Sequence, residues 1–388
     1  MQSRNKAAPR ARLVLEDGTV YEGFSFGARR SSRGEVVFST GMVGYPQSLT
    51  DPSYKGQILV ATYPLIGNYG VPAERFDRHG LPAEFESDRV QVSGFVVAEL
   101  CETPSHYSSK STLSAWLEAE GIPGISGIDT RALTQRLREQ GVMKGRILVE
   151  SDAAGDAEPA AELNDGNGTD SSEDNPVALV SCGAPRTYEG RKGGPRLLVV
   201  DCGVKANILR ILLGTGATLV RVPWDHDFRT VEYDGIFLSN GPGDPKACTK
   251  TIASVRRVLF DDRPIFGICL GNQILALATG ADTWKLPYGH RSQNQPALEK
   301  GTHRCYMTSQ NHGYAVREDS LPHHWAPWFV NANDGTNEGI KSLKKPFSAV
   351  QFHPEGCPGP RDTQFLLEHF VDDAAAWAAR KGARHEKA

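Results

Sequence analysis

The sequence predicts an α/β protein in two parts. A strand-rich mixed α/β domain covers residues 11–150. An acidic insertion and linker over 151–194 leads to a doubly wound domain over 195–380, built on a largely parallel open sheet. Three observations predict this. The length of 388 residues suits two domains of ordinary size. Residues 11–147 run through short β-like stretches punctuated by Gly and Pro. From Arg196 onward, continuous apolar runs alternate with helical patterns, as in a parallel sheet covered on both faces.

In the first part, "ARLVLEDGTVYEG" (11–23) reads as two strands around a turn at Asp17-Gly18. "GEVVFSTGMVGYPQSLTDPSYKGQILVATYP" (34–64) adds further β-rich runs, and "VQVSGFVVAEL" (90–100) reads as another strand. "KSTLSAWLEAEG" (110–121) places Leu113, Trp116 and Leu117 at helical spacing before a Gly stop. "DTRALTQRLREQG" (129–141) repeats that pattern, with Asp129 as its N-cap.

Residues 151–176 break the pattern. They hold eight acidic residues, none basic and none aromatic, so too little apolar surface is available to offset the entropy of ordering. A solvated insertion is expected; a regulatory or phosphorylated loop, with Ser171 and Ser172 beside acids, is the alternative.

In the second part, "PRLLVVDCG" (195–203) is a buried strand, "KANILRILLGTGA" (205–217) a helix and "TLVRVPW" a strand. "GIFLSNGPGDP" (235–245) is a strand with a Gly-rich loop, and "TIASVRRVLFD" a helix. "RPIFGICLGNQILALATGA" (263–281) reads as strand, sharp turn and helix. "FSAVQFHPE" is a strand running into a loop, and "TQFLLEHFVDDAAAWAARKG" an apolar-faced helix.

Composition narrows the function. A net charge of −3 makes no electrostatic case for nucleic acid or an acidic membrane as partner. No run of 18 apolar residues suggests a spanning helix. The start "MQSRNKAAPRAR" lacks the apolar core of a secretory signal, although it is compatible with part of a transit peptide. The seven cysteines are scattered and form no CxxC pair. Neither a disulfide framework nor a metal site is expected, and reduced thiols in a cytoplasmic protein are.

One of those thiols is unusual. In open parallel sheets, reactive groups collect beyond the carboxyl ends of the strands. "SNGPGDP" (239–245), "GICLGNQ" (267–273) and "FHPE" (352–355) leave such ends. Gly267 and Gly271 flank Cys269 at i−2 and i+2, the spacing of a nucleophile elbow. The following helix aims N–H groups at the turn, which favours negative charge there. A core cysteine with packing glycines is the competing reading. His353, with Glu355 two residues on, has the composition of a base oriented by an acid. Gly241 and Gly243 permit close backbone approach, and the absence of Lys-Ser/Thr after them excludes a P-loop.

The set "SNGPGDP … GICLGNQ … SQNHGYAV … FHPE" resembles the class I, triad-type glutamine amidotransferases. "LVLEDGTVYEG", the run over 34–70 and "GIDTRALTQRLREQG" resemble the N-terminal domain of the carbamoyl-phosphate synthetase small subunit family. The resemblance covers about 11–147 and 195–372. "VPWDH" and "NANDGTNEGI" are closer to the eukaryotic pyrimidine-pathway form, which is often fused to the synthetase.

The resemblance implies a glutaminase that supplies ammonia to a carbamoyl-phosphate synthetase, in pyrimidine or arginine biosynthesis. Cys269 would attack L-glutamine, His353 would move protons, and Glu355 would orient His353. The N–H groups of Leu270 and Gly241 would bind the oxyanion. Ser53, Gln273, Asn311, Gly313 and Tyr314, with Gly241 and Gly243, would surround the substrate. The implied partner is the synthetase large subunit or a fused synthetase domain, which would carry the ATP and metal sites; no cofactor is expected in this chain. Asn272 departs from the usual His, and Tyr314 from a common Phe. The alternatives are a γ-glutamyl hydrolase and a non-catalytic docking or regulatory subunit.

Overall fold

The computed structural model describes residues 9–150 and 175–385. The expected acidic insertion, 151–176, lies almost entirely outside the described residues. Contacts divide the chain into two compact units. The first comprises residues up to 75 together with 87 onward to the insertion. The second comprises 76–86 and the chain from 174 on. Residues 76–86, which fall inside the stretch 11–150, group by contacts with the second unit. In residues 76–86, Leu81 joins the apolar core of the second unit, and the Glu86 backbone oxygen accepts from Ala206 N at 2.9 Å.

The first unit is a closed seven-stranded barrel. Around it run Arg10–Leu15, Met143–Val149, Ser32–Ser39, Gln57–Ala61, Gly94–Val96, Pro123–Ser126 and Val20–Gly27, which returns to Arg10–Leu15. Alternation builds it: Ala11, Leu13 and Leu15 are fully buried while the residues between face outward. The helix Thr130–Gln140 packs Leu133 and Leu137, and the Asp129 carboxylate accepts from Ala132 N at 2.9 Å as its N-cap. The stretch 90–100 is not one strand. Only Gly94–Val96 stays in the barrel; Glu99–Leu100 then leaves to pair with Leu65–Ile66.

The second unit is built on a ten-stranded sheet. Its centre is parallel: Thr218–Pro223, Arg196–Asp201, Gly235–Leu238, Ile265–Ile268 and Phe347–Val350 in that order. Both faces are covered, and successive residues of one strand serve opposite cores: Leu197 and Val199 one, Leu198 and Val200 the other. That accounts for the unbroken apolar runs. The sheet does not stay parallel to its edges. Arg186–Tyr188 adds antiparallel on one side. On the other, Asn337–Ser342, Trp325–Asn331 and the long hairpin Thr283–Glu299 and Cys305–Val316 all add antiparallel.

Candidate active site

The strand Ile265–Ile268 ends and the helix Leu270–Thr279 begins with one residue between them, Cys269. Its φ of 54° lies in the left-handed region, a conformation that L residues with a Cβ rarely hold and that concentrates at functional turns. The turn closes because its glycines have no side chain. A Cβ on Gly271 would stand 2.2 Å from the Leu238 carbonyl oxygen, and one on Gly267 would stand 2.7 Å from the Gly271 backbone. Cys269 N donates to Val350 O at 2.8 Å, which ties the elbow to the neighbouring strand. By helix geometry, the N–H of Leu270 has no carbonyl to bond within its own helix.

Three segments converge on this turn. The 241 loop lies against it: a Cβ on Gly241 would be 2.0 Å from Cys202 O and 2.8 Å from Leu270 Cδ2. From the antiparallel extension, the Asn311 carbonyl accepts the Cys269 S–H at 3.5 Å. Beyond Phe347–Val350 comes His353, whose backbone N is held by Ser309 O at 2.8 Å.

His353 is buried, and its Nδ1 lies 2.6 Å from Glu355 Oε1. Nδ1 therefore carries the proton shared with the carboxylate, and Nε2 is the free face of the ring. Nε2 meets no partner in hydrogen-bond geometry, yet the Cys269 sulfur is near enough to act on the charge of the ring. Burial opposes an imidazolium here. The Glu355 charge, then the nearby Cys269 sulfur and the hydrogen bond to Glu355, outweigh it and lift the His353 pKa to about 10. Burial also opposes the Glu355 carboxylate. Lys205, then His353, overcome this and lower Glu355 to about 2. The arrangement favours an imidazolium on a carboxylate, placed to hold a proton given up by the sulfur on its far side.

Lys205 was not legible as a site residue. Its Nζ lies 2.9 Å from Glu355 Oε1 and 2.8 Å from Gly356 O, with both side chains almost wholly buried. Asn207 Nδ2 donates to the Glu355 backbone oxygen at 2.7 Å. Both come from the start of the helix Ala206–Gly214, which follows "VVDCGVK" at another strand end. A lysine and an asparagine at that kind of strand end were the available signal.

The remaining candidates divide. Gln273 is buried in the elbow helix, and its Nε2 donates to Tyr314 O at 2.8 Å and Gln351 Oε1 at 3.1 Å. Its oxygen is what it has left to offer. Tyr314 contributes that carbonyl, and Gly313 is half-buried beside Arg291, whose Nη2 would be 3.3 Å from an added Cβ. Gly243, at φ 86°, lies against Pro176 and is exposed. Asn272 is fully buried and bonds Gln351 Oε1 through Nδ2 at 3.2 Å. Ser53 belongs to the first unit, in the turn Pro52–Tyr54, where its backbone N bonds Asp51 Oδ1 at 2.9 Å.

Residues 13–147 match the family profile of the carbamoyl-phosphate synthase small chain, CPSase domain, and residues 198–373 match glutamine amidotransferase class-I. The chain is 47% identical to the carbamoyl phosphate synthase arginine-specific small chain of Aspergillus clavatus, over 98% of this chain and 84% of that one. The chain belongs to the carbamoyl-phosphate synthase small chain family. It carries the glutamine amidotransferase domain of that family and is a glutamine-hydrolysing enzyme component. Multifunctional relatives stand at the same level. Multifunctional protein ura1 of Schizosaccharomyces pombe is 48% identical over 93% of this chain and 17% of its own length. Multifunctional protein CAD of Squalus acanthias is 47% identical over 94% and 16%. The solved structure of a putative GMP synthase subunit from Thermoplasma acidophilum aligns at TM-score 0.43 and 23% identity, over 49% of this chain and 98% of that one, a likeness too slight to argue from. Among the described residues, no helix is long and apolar enough to cross a membrane.

Proposed function

We propose that the chain hydrolyses L-glutamine at Cys269 and hands the ammonia to a carbamoyl-phosphate synthetase, either a separate large subunit or a fused domain, for pyrimidine or arginine biosynthesis. One observation carries this reading: Cys269 sits in a left-handed elbow at a helix N-terminus, and the His353–Glu355 pair is buried behind it.

The Cys269 thiol gives its proton to His353 Nε2, and the thiolate attacks the side-chain carbonyl carbon of glutamine. The carbonyl oxygen becomes an oxyanion, received by the N–H groups of Leu270 and Gly241. His353, now protonated, gives that proton to the departing nitrogen, so the C–N bond breaks and ammonia leaves. A γ-glutamyl thioester remains on Cys269. Neutral His353 then takes a proton from water as the water adds. The second collapse expels the sulfur and releases glutamate. Glu355 keeps the ring oriented and favours its charged form, and Lys205 fixes Glu355 in turn. Gly243, Gln273, Asn311, Gly313 and Tyr314 are assigned to the substrate. This chemistry calls on no cofactor in the chain; the ATP and metal chemistry of carbamoyl phosphate formation falls to the synthetase. The seven free thiols suit a cytoplasmic setting.

The test is Cys269→Ser in the complex with the synthetase. Glutamine-dependent carbamoyl phosphate formation is expected to vanish while ammonia-dependent formation persists. Glutamine-driven turnover within tenfold of wild type would refute the assignment.

A further inference from the structure

A second closed group of titratable side chains lies in the antiparallel extension. His290 on the strand Thr283–Glu299, His312 on Cys305–Val316 and Glu338 on Asn337–Ser342 are all buried, with ligand-type atoms within 4.8 Å of one another. Glu338 Oε1 stands 3.3 Å from His290 Nδ1 and 3.7 Å from His312 Nε2. In a tetrahedral site with bonds of about 2.0–2.1 Å, neighbouring ligand atoms are about 3.3–3.4 Å apart. Two of the three edges are therefore at or close to that length.

Each ring is held from behind. His290 Nε2 bonds Asp334 Oδ2 at 2.8 Å, and His312 Nδ1 bonds Tyr314 O at 2.9 Å. Both partners are acceptors, so each ring spends an N–H on them. In the neutral rings the inward nitrogen, Nδ1 of His290 and Nε2 of His312, then carries a lone pair. A carboxylate or carbonyl behind the ring is the usual support of a metal-ligating histidine.

The inward side is short of donors. His312 Nε2 faces Gln310 Oε1 at 3.3 Å and Glu338 Oε1, neither of which can donate. Glu338 Oε2 is buried with no hydrogen-bond partner. The neighbouring amide, Asn331 Nδ2, is spread over His290 Nδ1 at 3.4 Å, Glu338 Oε1 at 3.3 Å, Gln310 Oε1 at 3.5 Å and Gln295 Oε1 at 3.4 Å. It has two N–H bonds for four acceptors, and every contact is long. Its orientation is set, because Asn331 Oδ1 accepts from Asn333 N at 2.9 Å. Buried acceptors facing one another without positive charge are costly.

We propose that His290 Nδ1, His312 Nε2 and the Glu338 carboxylate bind one divalent transition-metal ion of the zinc class, with Gln310 Oε1 nearest to the fourth position. Two imidazoles and one carboxylate select zinc-like ions over magnesium or calcium. With all three ligands buried and an amide oxygen rather than water at the fourth position, the site would be structural. It ties three strands together, and the residue before His312 is Asn311, whose carbonyl meets the Cys269 sulfur. The ion would thus fix the wall of the glutaminase site without touching the reacting atoms.

The test begins with untagged protein, dialysed without chelator, and its metal content by mass spectrometry. About one zinc per chain is expected, falling close to zero in Glu338→Gln and His312→Asn. Cobalt refilling of chelated protein should give tetrahedral visible bands without the near-ultraviolet thiolate band of a cysteine site. Zinc should raise the melting temperature of the chelated wild type by several degrees. The wild-type measurements stand even where a variant fails to fold. The proposal is overturned by metal-free wild type that takes up neither zinc nor cobalt and melts unchanged; a proton on His290, shared between Asp334 and Glu338, then holds the cluster. It is equally overturned if the folded variants retain the same metal content as wild type.

Discussion

Lys205→Met isolates the buried charge behind the proposed triad. Lys205 Nζ sits 2.9 Å from Glu355 Oε1, with both side chains almost fully removed from water. At an effective dielectric of 20, that separation corresponds to a gross attraction on the order of 6 kcal/mol. The cost of desolvating both ions offsets part of it. Breaking a buried pair by deleting one partner typically costs about 3–5 kcal/mol, because the other charge is left uncompensated. Glu355 keeps His353, so roughly 3 kcal/mol is expected here. For a domain of this size that is a fall in melting temperature of about 6–12 °C.

The pH dependence adds a signature. Glu355 is depressed to about 2 with Lys205 as the largest favourable cause, so its contribution is fully present above the ordinary carboxylate value of 4.5. It is lost as pH falls from there towards 2. The stability gap between wild type and Lys205→Met should therefore be full above about pH 4.5 and close as the pH approaches 2. Glutaminase activity should survive at neutral pH, since His353 still faces a carboxylate at 2.6 Å, but its acid limb should move upward. Thermal unfolding from pH 3 to 8 and steady-state ammonia release supply the data. A melting temperature within about 2 °C of wild type at pH 7, with an unmoved acid limb, would refute the argument.

Gly271→Ala should lower the glutaminase kcat on the order of 10²-fold, since the new Cβ would stand 2.2 Å from Leu238 O and displace the elbow by a fraction of an ångström or more. Gly214→Ala, where no atom lies within 4 Å, is the stability control and should melt no lower than wild type in thermal unfolding. His353→Asn should reduce kcat far more than it raises KM in steady-state assays, because the ring handles protons; a large KM effect with kcat intact would make it a binding residue. The isolated chain should release ammonia slowly and speed up with saturating synthetase and its substrates; equal rates would place the coupling elsewhere.

The sequence by itself determined what depends on near neighbours. The glycines two residues either side of Cys269 specify a turn that only a side-chain-free backbone can close. The placement of His353 and Glu355 two residues apart was enough to pair them. Leu133 and Leu137 on one helical face, and the apolar runs of the central strands, announced helix and parallel strand because burial repeats with the period of the backbone. Other features rested on strand order, which no local period carries. Lys205 reaches Glu355 across 150 positions in the chain. It does so because their strand ends open at the same edge of the sheet. The Asn311 carbonyl meets Cys269 only because an antiparallel extension, absent from the expected parallel pattern, folds the hairpin beside the elbow. The passage of residues 76–86 into the second unit, and the gathering of His290, His312 and Glu338 at one point, were likewise set by packing. Ion pairs and side-chain clusters of this kind join residues far apart in sequence, and only the closed tertiary structure brings them within hydrogen-bonding reach.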